Sequence, residues 1–580
     1  MDCPTTRLHS NRFQIMGVHM AFRVADAIVR GLEAQGLSRV YCVPGESYLA
    51  LLDALHDSNR IETIVCRHES GAGFMAVAEA KITGKAQCFM VSRGPGATNG
   101  SIAVHIAQQD AIPLVVLIGQ VAREERGRGA FQEVDYTHFF GRMAKAVWEV
   151  NEPENLGEIL VRAFHLAQSG VPGPVIIALP EDVLGLEYSQ PLPLPFPLVR
   201  VSASPSDVKR VTALLEKSER PLLIAGGLFR GKRGAEILRS FAELHQVPVA
   251  VSWKNQDVFD NSSPLYAGHL GFGTPAKHRE TLARADLVIA AGTRLGDVAS
   301  LNYTLPAAPE PKQPLIHIYP DAGPIGQVFR TELGIIADPV ELLDMLPAPS
   351  QASDGRKRWA QEISSFVSNF MEFRSPEPKD GVDFGMVVTA IAEMAPKNAV
   401  IATDAGNIST WVHRHWRMGP DNLLLGAIGG AMGFGVPAGV ASGLVLKDRM
   451  AIVFIGDGGI LMTGQELATA LQYGAMPKIV ISDNGTYGTI RQHQEKHFPR
   501  RVSGTDLVNP DFSLWAKSFG VHVVTIGKGD DVKTKVREAL SHDGASVIHV
   551  KSSIEAISAF ATLDTLSTPP RHPGGGRGPA

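Results

Sequence analysis

Ala451-Ile452-Val453-Phe454-Ile455-Gly456-Asp457-Gly458-Gly459 is the stretch whose reading decides the fold. Five apolar residues form a strand with no polar face, and the strand runs directly into a glycine-rich turn carrying one acid. A strand apolar on both faces belongs inside a parallel sheet covered by helices on both sides. Downstream, a helix is expected over roughly Gly464–Tyr473. A second apolar strand, Lys478–Ser482, ends in Asp483-Asn484-Gly485. Residues 459–483 separate Gly458 from Asn484, 25 in all, which suits one strand–helix–strand crossover. The spacing therefore predicts that Asp457 and Asn484 emerge side by side at the carboxyl ends of neighbouring parallel strands, where ligands bind in such sheets.

The same logic extends outward. Arg39–Val43, Gln87–Ser92 and Leu114–Gly119 read as buried strands near the N-terminus, Pro221–Gly227 and Ala285–Asp297 carry two more, and Asn398–Asn407 precedes the first stretch quoted. Short apolar runs ending in Gly or Asp, with helical segments between, predict an α/β protein of three domains, each a mainly parallel sheet flanked by helices. The proline-dense Gln190–Pro205 suits an extended connector. A second boundary is marked by Leu346–Gly355 and Arg374–Gly381, which bracket a helical stretch. The domains are set at residues 19–189, 190–370 and 371–560, and the Pro/Gly-rich tail 565–580 is expected to be disordered.

Composition narrows the class. Of 580 residues 44% are hydrophobic and 20% charged, and the net charge of −4 offers no basic field for nucleic acid or an anionic membrane. No apolar run reaches the ~18 residues that span a bilayer, and without an apolar h-region in residues 1–20 no secretory signal is expected. A cytoplasmic protein is the expectation. The four cysteines, Cys3, Cys42, Cys66 and Cys88, have no metal-ligand spacing.

Asp457 and Asn484 offer hard oxygen ligands. Mg²⁺ takes such ligands in an octahedron and commonly completes it with phosphate oxygens. Gly456, Gly458 and Gly459 let backbone N–H groups approach a diphosphate. The bland alternative, an ordinary acid in a strand-end turn, loses weight once Asn484 follows at this distance on a second strand. GDGG followed by DN resembles the GDG…NN signature of thiamine diphosphate enzymes, with Asp483 replacing the first Asn. That resemblance implies thiamine diphosphate and Mg²⁺ as cofactors, the backbone carbonyl of Thr486 as third protein ligand, and cofactor contacts from Tyr487 and Gly488.

Other segments carry the resemblance further, toward acetolactate synthases. Arg67-His68-Glu69 opens a small-residue helix, and Glu69 is implied as the acid that activates the aminopyrimidine ring, with a pKa raised by burial. Read without the family, it is a helix N-terminal acid. Ser92–Asn99 resembles the SGPGATN loop, with Arg93 in place of the first Ser. Ala130–Glu133 matches AFQE, implying Gln132 near the thiazolium. Thr403–Asn407 brings Gly406 and Asn407 beside the diphosphate. Gly430–Ala438 resembles GAMGFGLPA, implying that Met432 props the cofactor and that the Gly430 carbonyl holds its amino group.

Three departures leave the substrate open. Glu46 stands where acetolactate synthases have Gly, as an extra acid/base group or a solvated helix-start acid. His493 stands where they place a Trp, as a proton donor or part of a polar helix face. The family's non-reacting FAD is left open by Gly268–Gly271 and Gly292–Arg294. The resemblance implies a homodimer or homotetramer acting on a 2-keto acid, with decarboxylation followed by carboligation to a second carbonyl. The alternatives are a non-carboligating decarboxylase that releases an aldehyde, and a non-catalytic cofactor-binding subunit. Whether a regulatory subunit exists stays open.

Overall fold

The computed structural model describes residues 22–350 and 353–567. It contains three six-stranded sheets, each wholly parallel, plus a two-stranded antiparallel pair of Phe22–Arg23 with Glu187–Tyr188. The expected three-domain α/β architecture is what the chain adopts.

In the third domain the strands lie in the order Leu423–Gly426, Val400–Thr403, Ala451–Gly456, Lys478–Asp483, Ser546–Lys551, His522–Ile526. The chain leaves Val400–Thr403 to one side and returns on the other at Ala451–Gly456. The carboxyl ends of these two strands therefore flank a topological switch point, the place where an open α/β sheet leaves a crevice. Residues 451–455 are buried, as their apolar composition demands.

The first domain repeats this order with Glu62–Val65, Arg39–Cys42, Gln87–Val91, Leu114–Gln120, Pro174–Pro180 and Ala146–Glu149. Its switch point falls between Arg39–Cys42 and Gln87–Val91, so the Gly45-Glu46 and Arg93-Gly94 turns face one another there. The middle domain differs. Its order is Tyr266–His269, Val249–Val251, Pro221–Ala225, Leu287–Ala291, Leu315–Tyr319, Leu333–Ile336, the order of a dinucleotide-binding sheet.

Two expectations need correction. The helix placed at Gly464–Tyr473 begins earlier: Asp457–Thr463 is already helical, and a short turn at Gly464–Glu466 joins it to Leu467–Tyr473. Glycine there reflects crowding rather than a loop, since a Cβ on Gly459 would lie 2.1 Å from the Asp404 carboxylate. Of the tail expected from residue 565, Thr565–Ser567 close a helix, Leu563–Ser567, and residues 568–580 lie outside the described residues. No helix among the described residues is long and apolar enough to cross a membrane. Cys42, Cys66 and Cys88 are free and buried.

The first and third domains share one hydrophobic core, in which the helix Glu69–Thr83 packs on Gly435–Val445. A buried ion pair of the first domain is hydrogen-bonded to the third across the same boundary. Lys81 binds Asp110 and the Gly426 carbonyl, while Asp110 accepts from the N–H groups of Ile428 (3.0 Å) and Gly429 (3.1 Å). Removing one partner of such a pair leaves an uncompensated buried charge. Asp110→Ala is expected to cost about 3–5 kcal/mol of stability, measured by denaturant unfolding.

Candidate functional site

At the third domain's switch point lies a cleft of ≈ 230 Å³. Its lining contains Gly406, Asn407, Gly430, Met432, Gly456, Asp457, Gly458, Gly459, Asn484, Thr486, Tyr487 and Gly488, every residue the sequence reading assigned to cofactor or metal in this domain. Ile408, Trp411, Ile490 and Ile557 add an apolar wall that the sequence reading did not single out. The lining thus combines glycines, an acid and an amide with apolar side chains that include a methionine.

Asp457 stands among these glycines, 3% exposed. Its carboxylate accepts from the N–H groups of Gly458 (2.9 Å) and Gly485 (2.8 Å) and from the Asn509 amide (2.9 Å). Burial pushes its pKa above the usual carboxylate range. Asn484 accepts from the Thr486 N–H through Oδ1 at 3.2 Å. Asp483, the departure from the signature, is committed elsewhere: it receives His549 Nε2 and Lys551 Nζ, each at 2.8 Å, and Asn509 at 2.8 Å. Those partners hold its carboxyl well below the usual range, against the opposing effect of burial.

Asp404 organises the neighbouring loop. Fully buried, it accepts from the N–H groups of Gly433 (3.0 Å) and Gly435 (3.3 Å), and so fixes the loop that presents Gly430 and Met432. Burial pushes its pKa up to about 6. Gly406 and Gly430 have φ of +107° and +75°, values that favour glycine. The Asn407 side chain is engaged with Gln492 and the Ile557 carbonyl, tying the helix Gly488–His497 to the C-terminal segment.

The residues assigned in the first domain gather separately, at that domain's own switch point. Glu69 begins its helix half-buried, with Oε2 accepting from Asn99 at 3.0 Å. The full burial expected of it is not supplied by one chain. Gln132 has φ +66°, and its carbonyl accepts the Gly94 N–H at 2.9 Å. Arg93 pairs with Glu181 and reaches Glu46 at 3.5 Å. The two departures at 46 and 93 are therefore partners, although the Glu46 side chain remains 67% exposed. None of Glu46, Glu69 or Gln132 lines the cleft of its own chain. His493 is exposed, with its ring stacked over His497, and lies outside the cleft lining.

The donor set fits a magnesium diphosphate. Among the described residues no three His, Cys, Asp or Glu side chains gather as a metal site. With one carboxylate, one amide oxygen and one carbonyl at hand, Mg²⁺ would need phosphate oxygens to complete its shell. Gly458 lets Tyr487 pack close against the turn, since a Cβ there would sit 2.5 Å from its ring, while a Cβ on Gly456 would meet nothing within 4 Å.

In the middle domain a cavity of ≈ 380 Å³ opens at the switch point, lined by Gly227, Arg230, Gly292, Thr293 and Arg294 among others. Gly292–Arg294 lies at this cavity. Gly268–Gly271 does not, and His269 instead stacks on His413.

Comparison with known proteins agrees with this geometry. Residues 22–139 match the thiamine pyrophosphate enzyme N-terminal TPP binding domain, 208–346 its central domain, and 404–550 its C-terminal TPP binding domain. The acetolactate synthase large subunit of Parasynechococcus marenigrum (strain WH8102) is 33% identical over 539 residues, covering 90% of this chain and 85% of that protein. The acetolactate synthase isozyme 2 large subunit of Escherichia coli (strain K12) is 31% identical over 533 residues, covering 91% and 95%. The large subunit from Lactococcus lactis subsp. lactis (strain IL1403) is 31% identical over 519 residues, covering 88% and 90%. The chain belongs to the thiamine pyrophosphate enzyme family and is a thiamine-diphosphate-dependent enzyme of the acetolactate synthase type.

Proposed function

We propose that the chain decarboxylates a pyruvate-like 2-keto acid and joins the remaining acyl unit to a second carbonyl, giving a 2-hydroxy-ketone product. The single observation that carries this reading is the cleft itself, where residues separated by up to 152 positions, from Ala405 to Ile557, line one crevice that combines candidate metal ligands, glycines and apolar side chains. Bound there, thiamine diphosphate would supply a thiazolium that accepts the electron pair left as CO₂ departs.

The chain's own groups do the rest. Asp457 through its carboxylate, Asn484 through its amide oxygen and Thr486 through its carbonyl would hold Mg²⁺. Gly406, Asn407, Gly456, Gly458, Gly459, Tyr487 and Gly488 would surround the diphosphate. Met432 and Gly430 would orient the rings. Glu69 holds and releases a proton at Oε1, the oxygen not bonded to Asn99. Gln132 assists proton movement, with Glu46 and His493 as further candidates.

Glu69 and the cleft form one site when a second copy supplies the missing half, so the working unit is at least a homodimer. Exposed apolar side chains beside both halves support this: Phe131 next to Gln132, and Leu461 and Met462 on the helix that starts at Asp457.

Incubation of the protein with thiamine diphosphate, Mg²⁺ and pyruvate, with products identified by NMR, tests the reading. Acetolactate is expected. Acetaldehyde alone would favour the decarboxylase alternative, which rests on the exposed Glu46 carboxylate at the first domain's switch point.

FAD in the middle-domain cavity is also proposed, supported by the strand order and by two arginines in its lining. Purified protein is expected to release a flavin spectrum on denaturation. A colourless preparation that gains no flavin on incubation with FAD would count against it.

A further inference from the structure

Glu466 is a buried carboxylate that the proposed chemistry does not use. It is fully buried on the short turn between Asp457–Thr463 and Leu467–Tyr473. Its partners lie almost 400 positions away in the first domain. Oε1 accepts the N–H of Arg67 and of His68, each at 3.0 Å, and Oε2 lies 3.2 Å from the Arg67 nitrogen. Thr469 donates to Oε2 at 2.6 Å. These two N–H groups belong to the residues immediately before Glu69. A backbone N–H buried without an acceptor is costly, so the carboxylate fixes the path of the chain entering that helix.

The surroundings are built around this contact. Gly71 leaves room for it, since a Cβ there would lie 2.3 Å from Oε1. Arg67 reaches past Glu466 to Gln472 at 2.7 Å. Farther from Glu69, the Tyr473 hydroxyl accepts from the Val65 N–H at 2.9 Å and donates to the Thr63 carbonyl at 3.0 Å. The turn carrying Glu466 and the helix Leu467–Tyr473 thus dock together on the first domain: Tyr473 holds its edge strand, Thr469 and Gln472 meet the Arg67 side chain, and Glu466 accepts the backbone N–H groups of Arg67 and His68.

We propose that Glu466 is a positioning residue for Glu69, and that it ties the placement of this acid to the segment that begins at the metal-ligand candidate Asp457 of the same chain. The inference rests on the role of Glu69 proposed above. Since Glu69 serves the cleft of a second copy, the turn at Glu466 joins one chain's own cleft to the acid it contributes to its partner.

The geometry sets what a substitution does. Glu466→Gln keeps an oxygen where Oε1 accepts both N–H groups, and its amide can donate to the Thr469 hydroxyl. Glu466→Ala removes the acceptor. Glu466→Asp keeps the charge but shortens the reach by one methylene.

Two measurements on the full-length protein test this. Backbone amide exchange of the segment around Arg67 and His68 is followed in the cofactor-free protein. Exchange of the thiazolium C2 proton with solvent deuterium is followed with thiamine diphosphate and Mg²⁺ bound. Glu466→Ala is expected to speed the amide exchange and slow the C2 exchange by about tenfold or more each, a tenfold change being about 1.4 kcal/mol. Cofactor affinity is expected to stay within about threefold, because Asp457 and Asn484 are untouched. Glu466→Asp should give a smaller loss in the same direction, and Glu466→Gln should stay near wild type. Tyr473→Phe should leave both readouts at Arg67–Glu69 unchanged.

Wild-type values in Glu466→Ala, or an equal loss in Tyr473→Phe, would overturn the positioning role. A wild-type protein that does not accelerate C2 exchange over free cofactor would overturn the functional reading, and the inference with it. A wild-type rate that is fast, abolished by Glu69→Gln and untouched by Glu466→Ala would overturn the inference alone.

Discussion

Glu69→Gln is expected to lower turnover by about 10²–10⁴-fold, the range for losing a positioned acid–base group, while leaving cofactor binding nearly intact. The substitution keeps the volume of the side chain and its bond with Asn99, since an amide oxygen accepts as the carboxylate does. What it removes is the ability to hold and release a proton at the other oxygen. Binding survives because the cleft that would grip the diphosphate belongs to another domain and does not include residue 69. Steady-state kinetics paired with a binding titration separates the two effects. Wild-type turnover in this variant would remove Glu69 from the mechanism.

Asp457→Ala should fail in the opposite way, by losing the cofactor. Three groups converge on this carboxylate: the Gly458 and Gly485 N–H groups and the Asn509 amide. Alanine leaves them without their acceptor and takes away the only carboxylate among the proposed metal ligands. Hydrogen bonds to a charged group are each worth about 1.5–3 kcal/mol, so an apparent affinity loss of about 100-fold or more is expected, together with lost Mg²⁺ dependence. Calorimetric titration with thiamine diphosphate at fixed Mg²⁺ reads both. Unchanged affinity would place the metal elsewhere.

How much of this the sequence disclosed depends on how far apart the partners lie. Asp457 and Asn484 are joined by one crossover, so apolar runs and spacing alone put them on neighbouring strands, and the register pairing Gly456 with Ser482 agrees. The three parallel sheets follow from the same alternation. The helix start lies seven residues before the expected one because Gly458 and Gly459 read as a turn, when the pressure on them is the Tyr487 ring against Gly458 and the Asp404 carboxylate against Gly459.

Long-range polar pairs left no local trace. Nothing near Glu466 announces the backbone of Arg67 and His68, and Asn509 is a plain Asn-Pro turn until it is found bridging Asp457 and Asp483. Arg93 and Glu46 each looked like an isolated departure, and only their position at the first domain's switch point makes them a pair. The apolar wall of Trp411, Ile408 and Ile557 was hidden for a simpler reason, since apolar residues lining a cleft and apolar residues filling a core have the same composition.

The central claim is that the cleft between Gly406 and Gly488 takes thiamine diphosphate through a divalent metal. Titration of the wild-type protein with thiamine diphosphate, once with Mg²⁺ and once after chelation, tests it most directly. The account predicts saturable binding with a Kd of ~1 μM or tighter when Mg²⁺ is present, weakened by about 100-fold or more when it is removed. No binding, or binding indifferent to the metal, would contradict it.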